Sequence, residues 1–311
     1  MELAPATRRL FLRVSATALG GVGVGSAGYA TLIEPEHIQL ERVEIHLPQL
    51  RPEFDGLKIA HLCDFHYGPF TGEREIGRAV DLVNVESPDV VVLTGDFVTS
   101  RAFGFSRDRS PDPAPRNALL CADTLARLRA PLGVFAVLGN HDIGVGAAHI
   151  SAVLQSRKIR VLVNANQALE RGRARLWLAG VNDVLYGNPR IDAALHGIPA
   201  GEATVLLVHE PDFADQAARH PVHLQLSGHS HGGQIRVPLL GSPYLPPLAR
   251  KYPYGYYRIA DMQLYTNRGI GTLGLPMRLD APPEVTILTL HPTLPMPAFR
   301  APMPQGPWYS K

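Results

Sequence analysis

Short apolar runs alternate with amphipathic segments along most of this chain, and the two periods predict strands and helices in turn. The most continuous apolar run, residues 89–94, is typical of a strand that is covered on both faces. A helix is predicted to start with Thr71 as its N-cap and to end at Glu86, before Pro88. Further strands are predicted over residues 42–47, 57–63, 133–138, 159–163, 175–181, 204–208 and 223–226, and further helices over 118–129 and 147–157.

The order of these elements predicts the fold class. Strand–helix units dominate the first part of the chain, whereas residues 235–290 alternate as hairpins do. We find no internal repeat. This order favours an α/β (α+β) fold, a four-layer α/β/β/α sandwich of two mixed sheets, over a single Rossmann-type sheet. The sandwich domain is expected to span residues 34–291.

The first 33 residues differ from this domain in their charge pattern. Arg8 and Arg9 form a twin-arginine pair, and residues 14–33 carry no charge. A bilayer-spanning helix needs about 20 apolar residues, but five glycines make this stretch only weakly apolar. The pattern is typical of a twin-arginine (Tat) export signal that is cleaved after Ala30, with a membrane anchor as the alternative. Export would place the protein in the periplasm, in the cell wall or on the outer face of the cytoplasmic membrane.

Composition excludes some classes of protein without choosing one. With 311 residues of which 45% are hydrophobic, the chain has enough apolar material for a large core. A net charge of +2 is too small to indicate nucleic acid as a partner. The two cysteines, Cys63 and Cys121, do not make a disulfide framework. Residues 292–311 are rich in proline and are expected to form a disordered tail.

Polar side chains with metal-binding chemistry follow five of the predicted strands, at the point where each strand ends. Because the carboxyl ends of strands gather at one edge of an α/β sheet, we expect these side chains to converge. Glycine precedes three of them and lets the backbone turn sharply and approach the ions closely. The candidate ligands are Asp64, His66, Asp96, Asn140, His209, His229 and His231.

The types of side chain in this set indicate the kind of metal site. Carboxylate, amide and imidazole groups are all present, and thiolate is missing from the set. Structural zinc sites are usually built with cysteine, so the set favours a catalytic site for Mn, Fe or Zn.

The same motifs resemble those of the calcineurin-like metallophosphoesterases, from about residue 55 to residue 291. Residues 228–238, 267–271 and 282–286 resemble the Tat-exported bacterial branch described as YkuE- or YaeI-like phosphodiesterases. The resemblance implies two divalent metal ions, with Mn preferred and Fe or Zn as alternatives. It also implies the division of the ligands: Asp64, His66 and His231 on the first ion, Asn140, His209 and His229 on the second, and Asp96 as the bridge.

The resemblance further implies a reaction, the hydrolysis of a P–O bond by a metal-activated hydroxide. His141 would face the leaving group as a catalytic residue, with Asp142 beside it as the second member of the catalytic pair. Arg268 could bind a phosphate oxygen, although an arginine in a loop is more often solvated.

Three functions stay open at this point. The first is a phosphodiesterase that acts outside the cytoplasm on a phosphodiester, a phospholipid or a sugar phosphate. The second is a pyrophosphohydrolase of a UDP-diacylglucosamine-like lipid precursor, against which the export signal weighs because that substrate is made on the cytoplasmic side. The third is a metal-binding scaffold without activity, against which the pair Asn140–His141 argues. The enzyme is expected to be a monomer that can associate with a membrane surface, and its aromatic, proline-rich residues 243–257 either pack as a loop or contact a lipid or sugar.

Overall fold

Twelve strands arranged in two sheets make up the centre of the protein in the computed structural model, which describes residues 25–101 and 112–293. In spatial order, the first sheet consists of β1 (Gln39–Leu47), β12 (Glu284–Pro292), β2 (Leu57–Leu62), β3 (Val90–Thr94), β4 (Val134–Val137) and β5 (Ile159–Val161). The second sheet consists of β10 (Gly255–Ile259), β11 (Met262–Thr266), β9 (Leu224–Ser227), β8 (Thr204–Leu207), β7 (Ala174–Gly180) and β6 (Ala165–Arg171).

Both sheets are mixed, and each has a parallel centre. Strands β2 to β5 are parallel in the first sheet, where β12 pairs antiparallel with β2 and parallel with β1. Strands β11, β9, β8 and β7 are parallel in the second sheet, and β10 and β6 are its antiparallel edges. The helices are α1 (Glu73–Glu86), α2 (Ala114–Leu125), α3 (Asn140–Val145), α4 (Ala147–Ser156), α5 (Ile191–Leu195) and α6 (Ala214–Ala217).

Three hydrophobic clusters separate the layers. On β3, Val91 and Leu93 pack with α1, α2 and α4, whereas Val90 and Val92 face the second sheet. This explains why the strand is apolar without alternation. The third cluster lies on the outer face of the second sheet, where Leu206 of β8 packs with α5 and α6. The predicted four-layer α/β/β/α sandwich is confirmed.

The start of α1 differs from the prediction. The helix begins at Glu73 after Gly72, and the side chain of Glu75 accepts the Gly72 backbone N–H at 2.9 Å. The Thr71 hydroxyl is not a cap, because it accepts the backbone N–H of Thr272 at 3.2 Å. Local composition suggested the wrong residue since the hydroxyl has a partner 201 positions away in the chain.

Other boundaries also differ from the sequence-based expectations. Helix α2 begins at Ala114 and ends at Leu125, four residues earlier at each end than predicted, while β6, α3 and α5 were not predicted. Only β10 and β11 form a hairpin within residues 235–290, because β12 crosses to the first sheet. Since β12 ends at Pro292, the expected domain boundary at residue 291 lies inside a strand.

The predicted export signal and tail fall largely outside the described residues, which exclude 1–24, 102–111 and 294–311. Residues 25–32 are helical, and Ala30 is buried against the sandwich. Among the described ranges, none of the helices has both the length and the hydropathy that crossing a bilayer requires.

Candidate metal centre

The seven predicted ligands lie together at the edge where the parallel strands of both sheets end. The first sheet supplies ligands after β2, β3 and β4, and the second sheet supplies them after β8 and β9. Each of the seven side chains is at most 6% exposed, so water does not compete freely for their polar atoms. The convergence predicted from strand ends is therefore what the structure shows.

Asp96 lies between two groups of ligand atoms. Its Oδ2 is 3.4 Å from His66 Nε2 and 3.3 Å from His209 Nε2, while its Oδ1 accepts the backbone N–H of His141 at 2.9 Å. Asp64, His66 and His231 form one potential metal-binding group, and Asp96, His209 and His229 form another. A single carboxylate oxygen of Asp96 thus faces both groups.

Hydrogen bonds orient the imidazoles of the second group towards a common point. His209 Nδ1 donates to the carbonyl oxygen of Thr94 at 2.6 Å, and His229 Nε2 donates to that of Pro247 at 3.0 Å. In the neutral rings the other two nitrogens, His209 Nε2 and His229 Nδ1, therefore carry lone pairs, and they face each other at 3.2 Å. A cation bound by both nitrogens satisfies this arrangement, and the backbone carbonyls supply the outer hydrogen bonds typical of metal-bound histidine.

The remaining ligands fit a metal as well. His66 Nε2 lies 3.0 Å from His231 Nε2, so the two rings present the same type of nitrogen to one point. Asn140 Oδ1 is buried and has no hydrogen-bond partner among the described residues. Because a buried amide oxygen without a partner is costly, a bound cation is the partner that this atom fits. Asn140 therefore also fits the role of a metal ligand.

Burial and neighbouring charges shift the pKa values of these groups in different directions. Burial lowers the pKa of His66 and of His229 to about 3, so both rings are neutral lone-pair donors. Burial acts in the same direction on His209, but the carboxylate of Asp96 outweighs it and raises the His209 pKa well above its usual value. Burial would raise the pKa of Asp96, but the charge on His209 outweighs it and lowers that pKa. The site thus favours positive charge beside an ionised Asp96.

Five of the seven ligands have a left-handed backbone conformation that few residues other than glycine adopt. A positive φ at a non-glycine residue costs free energy and is found preferentially at functional sites. These ligands, with their φ values, are Asp64 (50°), His66 (44°), Asp96 (56°), His229 (66°) and His231 (52°). Turns of the backbone therefore lie at these five residues themselves and not only at the preceding glycines.

Those glycines are needed for close approach. A Cβ on Gly228 would lie 2.4 Å from Asp64 Oδ2, and one on Gly139 would lie 2.3 Å from Asp96 Oδ1. Of the three predicted glycines, Gly95 alone combines a crowded environment with a left-handed φ, of 90°. Steric exclusion, more than turning of the chain, is what Gly139 and Gly228 contribute.

His141 lies beside the first group of ligands, as predicted for a catalytic residue. Its ring contacts that of His66 edge-on, with 4.7 Å between the centroids. Its Nδ1 accepts the backbone N–H of Ser100 at 3.0 Å, so the neutral ring carries its proton on Nε2. Burial lowers the His141 pKa, which favours this neutral, proton-donating form.

Asp142, the neighbour of His141 in the sequence, accepts hydrogen bonds from the backbone around Asp96. Its Oδ2 accepts the backbone N–H groups of Asp96 at 2.8 Å and Gly139 at 2.9 Å, and its Oδ1 accepts that of Phe97 at 2.9 Å. The carboxyl group is fully buried and holds the backbone around Asp96. These contacts position the backbone, and the catalytic role expected for Asp142 beside His141 stays a prediction.

Arg268 is held in an ion-pair network away from the role considered for it. Its guanidinium lies 2.8 Å from Glu41 and 2.6 Å from Glu284. Tyr265 also donates its hydroxyl to Glu284 at 2.8 Å. With two carboxylate partners, this arginine stabilises the junction of β1, β11 and β12.

Sequence reasoning missed Arg278, the largest fully buried side chain among the described residues. Its guanidinium donates to the carbonyl oxygens of Arg268, Gly269, Gly271 and Ala281, and so holds the loop after β11. That loop packs on Asp64, since a Cβ on Gly269 would lie 2.6 Å from the Cβ of Asp64. The glycines at 269 and 271 were visible in the sequence, but the arginine that binds their carbonyls was not identifiable from its neighbours.

Comparison with known proteins gives the family. Residues 57–233 match the model of the calcineurin-like phosphoesterase family, and this is more than half of the chain. The chain belongs to the calcineurin-like phosphoesterases, and it is a metal-dependent phosphoric ester hydrolase. The resemblance noted from the motifs is thereby confirmed.

Two relatives match along almost their whole length. The chain is 33% identical to the metallophosphoesterase YkuE of Bacillus subtilis (strain 168), covering 92% of this chain and 98% of the relative. It is 32% identical to the phosphodiesterase YaeI of Escherichia coli (strain K12), covering 91% and 99%. Among solved structures, a 5'-nucleotidase precursor from Thermus thermophilus superposes with a TM-score of 0.45 at 15% identity, over 75% of this chain and 54% of that chain.

Proposed function

We propose that this protein is a phosphodiesterase with two divalent metal ions, Mn preferred and Fe or Zn as alternatives. The observation that carries the proposal is the position of Asp96, one oxygen of which faces the imidazoles of both ligand groups at 3.4 and 3.3 Å. A carboxylate that is shared in this way is what a dinuclear site requires, because its charge holds two cations together.

The ligands divide between two ions in this proposal. Asp64, His66 and His231 would hold the first ion, Asn140, His209 and His229 the second, and Asp96 would bridge them. When bound, such ions polarise phosphoryl oxygens and lower the pKa of a water molecule from 15.7 towards about 7, so that it can attack phosphorus at neutral pH.

Two of the protein's own side chains would then act, one as a proton donor to the substrate and the other by positioning Asp96. His141 presents Nε2–H beside the first ligand group and would donate it to a phosphoryl oxygen or to the departing oxygen of the substrate. Asp142 keeps the backbone of Asp96 in place through its hydrogen bonds to the N–H groups of Asp96 and Phe97. The mostly buried setting strengthens each of these electrostatic contacts.

The proposed substrate class is a phosphodiester, including phospholipids and sugar phosphates. The name of the YaeI relative, a phosphodiesterase, supports this class. We further propose that the protein acts outside the cytoplasm, on the basis of the Arg8–Arg9 pair and the uncharged residues 14–33. We also propose that it acts as a monomer. A pyrophosphohydrolase acting on a UDP-diacylglucosamine-like lipid is the second candidate and would require the site to face the cytoplasm.

Hydrolysis of bis-p-nitrophenyl phosphate by the full-length protein tests the chemistry. Activity should require added Mn²⁺ and disappear with a chelator. Asp96→Ala should lower the rate by more than about 100-fold, because even outer-shell partners of a metal are worth roughly 10–100-fold. His223→Ala is the matched control, since His223 lies at the opposite end of β9 from His229 and should leave the rate unchanged. Full activity in Asp96→Ala would contradict the assignment of the bridge.

Metal analysis and fractionation test the remaining parts. Plasma mass spectrometry of protein purified without chelators should find two ions per chain, and Asn140→Ala should reduce this towards one. Replacing both Arg8 and Arg9 with lysine should retain the protein in the cytoplasm, whereas Arg13→Lys should not. Export that is unaffected by the double substitution would contradict the twin-arginine signal.

A further inference from the structure

Two exposed leucines occupy the tip of a tight turn that follows the candidate ligand His231 in the chain. Leu239 is 105% exposed and Leu240 is 84% exposed. The turn is closed by the carbonyl oxygen of Val237, which accepts the backbone N–H groups of Leu240 at 3.0 Å and Gly241 at 2.9 Å. Leu239 also has a left-handed φ of 68°, a conformation that costs free energy at a leucine. An ordered turn thus holds two large apolar side chains in water, and such a feature marks a surface for binding.

A neighbouring loop adds a third exposed leucine to the same surface. Gln234, which precedes the turn, donates its side-chain amide to the carbonyl oxygens of Leu273 at 3.0 Å and Leu275 at 3.2 Å. Its Oε1 accepts the backbone N–H of Leu273 at 2.8 Å, so three bonds connect the loop to the base of the turn. Leu275 is 54% exposed. We call Leu239, Leu240 and Leu275 the leucine face.

The N-terminal residues enter the structure beside this face. The backbone N–H of Arg278 donates to the carbonyl oxygen of Ala30 at 2.9 Å, and the next residue, Leu279, exchanges backbone hydrogen bonds with Gln234 and Arg236. The N-terminal helix and the turn are therefore attached to the same short segment. Leu32 on this helix is exposed, and the 24 residues that precede the described part contain the uncharged stretch that starts at residue 14.

The charge of the surrounding chain fits an anionic surface. No aspartate or glutamate occurs in the sequence from residue 216 to residue 260, whereas this stretch contains Arg219, Arg236, Arg250, Lys251 and Arg258. Arg236 forms an ion pair with Asp280 at 3.3 Å and Lys251 forms one with Asp215 at 2.7 Å, so Arg219, Arg250 and Arg258 carry the excess positive charge. Exposed leucine side chains next to basic residues are the combination that binds at the interface of a bilayer containing anionic lipids. A stable protein partner would instead need a patch of about 800 Å² on each side, which a two-residue apolar tip does not offer.

We propose that the leucine face inserts into the interface of an anionic lipid bilayer and holds the metal centre against the membrane surface. The turn begins only a few residues after the ligand His231, and the carbonyl oxygen of Pro247, in the loop that follows the turn, accepts a hydrogen bond from the ligand His229. Insertion therefore places the centre next to lipid headgroups. The inference rests on the proposed location outside the cytoplasm, but it concerns binding and does not depend on the proposed chemistry.

Site-specific fluorescence on the full-length chain tests the proposal. Both natural cysteines are buried, so a cysteine introduced as Leu240→Cys can be labelled selectively with an environment-sensitive nitrobenzoxadiazole dye. Phosphatidylglycerol vesicles should shift the emission of this label to the blue. The same label at Val85→Cys, on the helix layer of the first sheet and 78% exposed, should not respond. A Leu240 label that stays in water while the protein sediments with vesicles would overturn the proposal, as would equal shifts at both positions.

A second experiment measures lipid insertion after a double substitution in the turn. With the dye at Leu275→Cys, changing Leu239 and Leu240 to serine should lower the lipid-inserted fraction about tenfold, the scale expected from removing two leucines from an interface. Serine at Leu119 and Leu120, an exposed pair on α2, is the matched control and should change nothing. An unchanged Leu275 signal in the first variant would contradict the role of the turn. Hydrolysis of soluble bis-p-nitrophenyl phosphate should be equal in both variants, so a failure of the chemistry would be seen separately from a failure of docking.

Discussion

Replacing Gly228 with alanine would place a methyl group where the structure has no room for one. The added Cβ would lie 2.4 Å from Asp64 Oδ2 and 2.5 Å from Cys63 Sγ, whereas ordinary contact begins at 3.4 Å. The carboxylate oxygen must therefore move by about 1 Å to restore an ordinary van der Waals separation. Gly228 does not have a left-handed φ, so the effect of this substitution is steric.

Asp64 has little freedom to make this movement. On one side both of its oxygens accept the backbone N–H of His229, at 3.1 and 2.9 Å. On the other side Gly269 packs against its Cβ. A metal–ligand distance tolerates about 0.2 Å, so a 1 Å displacement removes Asp64 as an effective ligand. We expect kcat/KM to fall about 100-fold, the cost of a misplacement of this size, and the free energy of unfolding to fall by about 1–3 kcal/mol from overpacking.

Three measurements on the same preparation check the Gly228→Ala prediction: hydrolysis of bis-p-nitrophenyl phosphate, metal content by plasma mass spectrometry, and urea unfolding. Gly72→Ala is the matched control, because a Cβ there would meet its nearest atom at 3.8 Å and Gly72 does not have a left-handed φ. A folded Gly228→Ala protein with normal metal content and a rate within twofold of the natural protein would refute the steric reasoning.

Three further predictions concern residues around the centre. His141→Ala should lower kcat by about 10²–10⁴-fold with unchanged metal content, since its ring is a proton donor; loss of a metal ion in mass spectrometry would instead assign it to the ligands. Arg278→Met should lower the free energy of unfolding in urea by about 3–5 kcal/mol, because four buried carbonyl oxygens lose a charged donor; a loss below about 1 kcal/mol would show that the loop does not depend on it. Burial lowers the pKa of His61 to about 3, so the unfolded chain takes up a proton below about pH 6.5 that the folded chain does not, and stability is lost as pH falls from about 6.5 to 3. His61→Gln should reduce that slope by up to about 1.4 kcal/mol per pH unit in urea titrations, and an unchanged slope would show that His61 is not buried in its neutral form.

Much of the architecture follows from local patterns in the sequence. The unbroken apolar run at β3 indicates a strand covered on both faces, because an exposed face would require polar alternation. The positions of Asp96 and His209 just after apolar strands indicate that they converge, because parallel strands bring their carboxyl ends to one edge. These inferences need only the periodicity of the backbone and the direction of parallel strands, and both are properties of short segments.

The tertiary structure decided those strand pairings and side-chain contacts whose partners are distant in the chain. Strand β12 pairs with β2 across more than 200 residues, and no local pattern distinguishes it from a hairpin strand. Arg268 and Arg278 are the same residue type ten positions apart, yet one pairs with carboxylates and the other with buried carbonyl oxygens.

Asp142, at the candidate metal centre, is a further residue whose contacts the local sequence does not predict. Its neighbours in the sequence suggested a catalytic carboxylate, but its oxygens accept backbone N–H groups from two separate loops. The sequence by itself therefore determined which side chains are candidates for the chemistry and at which edge they meet. Folding decided which of them face the metal position and which hold the others in place, because a side chain's role depends on the groups packed against it.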